Sequence, residues 1–94
     1  MATKKVNVNG NAWTAITTNG QSGSCWLNTN IIGGGAVMVD HSTVSGINCS
    51  FDKAYPLYRE YGVKLNFTAD VLSDIYYAKC TNPTSTVILS VDAY

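Results

Sequence analysis

Ninety-four residues at 10.1 kDa fit a single domain, 1–94, because two cores would each be too small to stand alone. Charged residues make up only 13%, six basic against six acidic, which excludes electrostatic capture of nucleic acid, a mode that needs a surplus of Lys and Arg. At 46% apolar the chain has the composition of a folded globule, and no apolar run approaches the roughly 18 residues of a membrane span.

In chain order, the opening MATKKVNVNG lacks the apolar stretch of a secretory signal, so no secretory route is expected. Residues 1–5 read as a polar arm. Residues 5–9 (KVNVN) alternate Val6 and Val8 against Asn7 and Asn9, the period of a strand. Residues 12–18 (AWTAITT) carry Trp13 and Ile16 and stop at the Asn19-Gly20 turn signal. Residues 24–29 alternate Cys25 and Leu27 against Trp26 and Asn28. Gly33-Gly34-Gly35 is a turn rather than a phosphate loop, since neither Lys-Ser/Thr nor a helix follows it. Residues 36–42 (AVMVDHS) set Val37 and Val39 against Met38 and Asp40.

Residues 51–61 (FDKAYPLYREY) break the series. Phe51, Tyr55 and Tyr58 have helical spacing, but Pro56 would remove a hydrogen bond mid-helix, so a loop with one helical turn after the proline is expected. Alternation resumes at 63–68, with Val63, Leu65 and Phe67 inward. Residues 74–80 and 86–94 read as a terminal hairpin about Thr81-Asn82-Pro83-Thr84, with Val87, Leu89 and Val91 inward. About seven short antiparallel strands with intervening turns predict an all-β sandwich or small jelly roll.

Chemistry-bearing residues are sparse. His41 is the only histidine, and in a strand it faces away from Asp40, so the pair cannot act as neighbours in a triad. A surface or interface role is expected for it, and no catalytic residue is assigned. Cys25, Cys49 and Cys80 form no CxxC pair and are expected as free thiols, Cys25 and Cys80 buried and Cys49 partly accessible. A disulfide between two of them stays open. No metal ligands or cofactor are expected, because the acids are scattered without a calcium-loop spacing. The aromatics divide between core and surface: Trp13 as a plug between two sheets, or, with Trp26, Tyr55, Tyr58 and Tyr61, as a sugar-stacking platform or protein interface. Interface candidates are Lys4 and Lys5 on the arm and Tyr55, Tyr58, Arg59 and Tyr61 in the loop, since tyrosine and arginine dominate interface hot spots.

The strings VNVNGNAWTAITTNGQSGSCWL, GGAVMVDHS and SDIYYAKCTNPTSTVILSVDAY resemble the small virion structural proteins of tailed bacteriophages, over most of the chain except residues 48–60. The resemblance implies a non-enzymatic β-sandwich that decorates or cements a capsid, or belongs to a head fibre or tail adaptor. Its implied partners are the major capsid protein or other virion proteins and further copies of itself, a trimer being favoured, with neither nucleic acid nor membrane. A carbohydrate-binding, adhesin-like module is the alternative, and it requires an exposed coplanar row of aromatics.

Overall fold

The structure, a computed structural model, describes residues 3–29, 31–43, 48–57, 64–69 and 71–94. Among these residues eight strands form two antiparallel four-stranded sheets and there is no helix. The strands are β1 (Lys4–Asn9), β2 (Thr14–Ala15), β3 (Gly23–Leu27), β4 (Val37–Ser42), β5 (Tyr55–Leu57), β6 (Leu65–Phe67), β7 (Ile75–Cys80) and β8 (Thr86–Ala93). One sheet has the order β1-β8-β3-β6 and the other β2-β7-β4-β5. Strand β1 pairs β8, β2 pairs β7, β3 pairs β6 and β4 pairs β5. These nested pairs are those of one long hairpin folded at the β4–β5 connection. Rolling that hairpin adds the β3–β8 and β4–β7 pairings, which is the wiring of a jelly roll. All connections except β4–β5 therefore pass from one sheet to the other.

The core follows from period-2 alternation. Val8, Cys25, Leu27, Val87, Leu89 and Val91 turn in from the first sheet. Val37, Val39, Leu57, Ala78 and Cys80 meet them from the second. Each fully buried Val or Leu stabilises the fold by roughly 1.5–3 kcal/mol through lost apolar contact with water. Leu89 has no exposure and pairs with Val6 on one side and Leu27 on the other, so it sits at the centre of this layer.

Three expectations need correction. First, residues 74–80 and 86–94 are not a hairpin, because β7 and β8 lie in different sheets. The short link 81–85 is an arch, pinned to the glycine turn opposite. Asn82 Nδ2 donates to the Gly33 carbonyl at 2.9 Å, Ser85 Oγ to that of Gly34 at 2.6 Å, and the Thr81 N–H to that of Ala36 at 2.8 Å. Gly33, Gly34 and Gly35 hold φ of 98°, 82° and 81°, a left-handed path that glycine follows without steric cost. Second, residues 51–61 are not all loop. Tyr55–Leu57 is an edge strand with Leu57 in the core, and Pro56 is tolerated there because an edge strand has one side free of ladder bonds. Third, the expected arm is shorter, since Lys4 and Lys5 already belong to β1. Exposed lysines on β1, the proline on β5 and the two-residue β2 are features that discourage edge-to-edge pairing.

Replacing Leu89 by Ala should cost about 3 kcal/mol, the range for a large-to-small change at a site that cannot collapse. Chemical denaturation of the two proteins measures it, and a loss under about 1 kcal/mol would show that Leu89 is not central.

Candidate functional site

Alternation along β4 puts Val39 and His41 on the same, inward face. Val39 is sealed in the core, while His41 emerges at the lateral rim where β5 and β6 flank the gap between the sheets. A cleft of about 280 Å³ opens there. Val39, Leu65 and Phe67 give it apolar surface, His41, Tyr55 and Tyr76 line it with rings, and Asn66 and Thr68 add polar groups from the β6 side. The rings are mutually packed: Phe67 and Tyr76 centroids lie 4.5 Å apart, and Tyr76 and His41 5.4 Å. The Tyr76 hydroxyl donates to the Thr68 carbonyl at 2.8 Å, tying the two sheets at this rim.

The imidazole is held in place. His41 Nδ1 lies 3.0 Å from Asp74 Oδ1, and Asp74 has no exposed surface. The backbone fixes that carboxylate too, since the Asp74 N–H donates to Val71 O and its carbonyl accepts from the Gly20 N–H. Nδ1 is engaged with the carboxylate, its donor or acceptor role following the tautomer, and Nε2 is the ring nitrogen outside that contact. The partner expected to be unable to orient His41 was Asp40; the one that does is 33 residues further along the chain.

Asp40 points through the opposite face of the sheet and is also buried, at 2% exposure. Segment 48–53 crosses over it: Lys53 Nζ approaches Oδ2 at 3.2 Å and the Ser50 N–H donates to Oδ2 at 3.1 Å. The same segment brings Phe51 against Trp13, with ring centroids 5.3 Å apart, and under Lys79 Nζ, 5.3 Å from the ring. Trp13 is therefore not a plug between the sheets but part of this outer cover; Ile16, three residues on, is the core residue. Trp26 lies on the outside of the other sheet beneath Lys64, whose Nζ is 4.7 Å from its ring. Trp13 and Trp26 thus lie on the outer faces of different sheets, apart from Tyr55 on the β5 edge.

All three cysteines are free. Burial pushes the Cys25 thiol up from the ordinary 9.0 to about 12, and burial also raises Cys80, whose Sγ is 3.8 Å from the Val8 carbonyl. Cys49 is raised to about 11 by burial and then by the Asp40 carboxylate, against an opposing pull from Lys53. It thus sits with Asp40, across the sheet from His41, so His41 has no thiol to activate among the described residues. Those residues also contain no cluster of three His, Cys, Asp or Glu able to hold a metal.

The interface candidates are not gathered into one patch. Lys4 and Lys5 lie on the β1 edge, whereas Tyr55, 63% exposed, lies on the β5 edge at the other side of the sandwich. Tyr58, Arg59 and Tyr61 lie outside the described residues. Other apolar side chains stand out in solvent. Leu72 is 88% exposed beside Val71, and Tyr94 is close by, because the turn 18–22 contacts Leu72 through Gly20 and pairs with Tyr94 through Ser22. At the opposite end Ile32 is 70% exposed beside an apolar groove of about 330 Å³ that runs over Val87 and Ile88. Sequence reasoning missed Asp74, Leu72 and Ile32. The His41 placement, by contrast, was available from the Val37-Val39-His41 alternation.

No family model, curated protein or solved structure compared with the chain matches it significantly.

In native protein, alkylation should label Cys49 alone and slowly, because so little of a thiol titrating near 11 is thiolate at neutral pH; denaturation should release all three. Labelling of Cys25 or Cys80 at the Cys49 rate would contradict the packing. Folded Cys25 keeps its proton to about 12 while an unfolded thiol loses it near 9.0. The native state then binds more protons between those values, so the stabilisation present below pH 9 is lost as pH rises towards 12. Denaturation curves across that window should show the fall, with a shallower slope in Cys25→Ala.

Proposed function

We propose that the chain is a structural virion protein of a tailed phage, a jelly-roll module that decorates or cements the capsid by binding the major capsid protein. The observation that carries this reading is the nested wiring of the two sheets, an architecture used repeatedly in viral capsid domains. This is an argument by fold analogy, and the surface adds to it. A zero net charge gives neighbouring copies no long-range repulsion. Leu72, Val71 and Tyr94 are exposed at one end, apolar side chains that docking would remove from water. The dispersal of Trp13, Trp26 and Tyr55 weighs against a flat glycan platform.

The test is quantitation of the chain in density-purified particles from the source that encodes it. The expected result is a fixed copy number per major capsid subunit. Burial of one Leu side chain is worth about 2 kcal/mol, so Leu72→Asp should lower occupancy at least tenfold while thermal stability is kept. Particles without the chain would overturn the reading.

A further inference from the structure

The geometry points to the cleft between β5 and β6 as a binding site for a single neutral pyranose, an assignment independent of the virion reading. Its size is the first argument. About 280 Å³ corresponds to roughly nine waters at about 30 Å³ each, which is room for one sugar ring and its hydroxyls.

The lining chemistry narrows the ligand class. Among the described residues the lining carries no Lys or Arg, so none of them offers an anion a counter-charge. Asp74, the carboxylate next to the described lining, is fully buried and faces His41, so it is not open to a cation. A wholly apolar ligand would cover His41, Asn66 and Thr68 without replacing the water they bind, which costs free energy for each polar group left unpaired. A pyranose has apolar C–H faces and a rim of hydroxyls that both donate and accept. It matches a site in which an exposed tyrosine ring, Tyr55, stands at the mouth, apolar Val39, Leu65 and Phe67 lie inside, and polar groups of β6 and His41 sit around them.

The His41–Asp74 contact supplies the second, independent observation. Burying a carboxylate completely is costly unless it is paired, and here the pairing fixes an imidazole at the wall of a cleft. A ring fixed through Nδ1 holds its other nitrogen in one orientation, and a sugar hydroxyl, which both donates and accepts, meets a side chain whose rotamer freedom is already spent. The Phe67–Tyr76–His41 stack and the Tyr76 hydroxyl bond to Thr68 O brace the same wall.

The experiment is a titration of the isotope-labelled chain, free of particles, with the methyl glycosides of glucose, galactose, mannose and N-acetylglucosamine, followed by amide chemical shifts. At least one glycoside should give saturable shifts centred on Val39, His41, Leu65, Phe67 and Tyr76. Tyr55→Ala, at a side chain exposed enough to leave folding intact, should weaken that affinity about tenfold, the equivalent of about 1.4 kcal/mol; Tyr55→Phe should retain it. The amide spectrum of each variant reports independently that the fold is kept. Absence of saturable shifts in the cleft with every glycoside overturns the proposal. So does a response indifferent to Tyr55→Ala, or one obtained with the nucleosides adenosine and uridine but with no pyranose. Because the titration contains no particle, its failure leaves the capsid reading to its own test.

Discussion

Strand β8 holds the two ends of this chain together. It pairs with β1 along one edge and with β3 along the other, and its inward side chains Val87, Leu89 and Val91 are at most 3% exposed. Without it the first sheet would be a lone edge strand and a short β3–β6 pair, and two-stranded ribbons are marginal in water. The second sheet has the same arrangement about β7, which joins β2 to β4. These two strands are linked by the arch at 81–85, and each is an inner strand paired on both sides within its sheet. The arch in turn depends on the three glycines across from it, whose carbonyls and left-handed path receive Asn82 and Ser85.

Around that frame the sandwich buries two carboxylates on opposite faces of one strand neighbourhood, and the two are handled differently. Asp40 is covered by a connecting segment that brings its own lysine and the Ser50 backbone N–H. Asp74 is covered by the fold itself and faces His41. In a chain with so few charges, each acid placed in the interior has to be matched by a specific donor, because an unmatched one costs several kcal/mol. The result is that the outer face of the second sheet is closed by a polar clasp reinforced with Trp13 and Phe51. The lateral rim near β6 keeps the His41 ring at the wall of a cleft.

Much of this was legible in the residues. Strand β8 reads directly from its alternation, and so do the inward faces of β3 and β4, because a half-buried strand writes its burial pattern at period 2. Strand β5 was not legible: it is three residues long, contains Pro56 and has one buried side chain, Leu57, too little for a period to register. The choice between hairpin and arch at 81–85 was likewise hidden. A short turn-rich link can either reverse within a sheet or step the ~10 Å between two sheets, and what decides is the partner β8 finds some eighty residues earlier. The His41–Asp74 contact was unreadable for the same reason, since neither residue carries a local sign of the other. Alternation did disclose that His41 shares a face with Val39 and not with Asp40.

The nested pairing also has a consequence in time. A ribosome delivers β1 first and β8 last, so the strand that occupies the middle of the first sheet is the last to become available. Until it emerges, β1 has no neighbour to hydrogen-bond with and the apolar faces of β1 and β3 have nothing to close them. Closure of such distant segments comes with a large loop entropy, which places jelly-roll wiring among the slow-folding topologies. An unpaired β1 beginning Lys4-Lys5 is better protected during that wait than an apolar one would be, since charge on a bare strand opposes intermolecular pairing. The same two lysines that blunt the finished edge thus guard the nascent one.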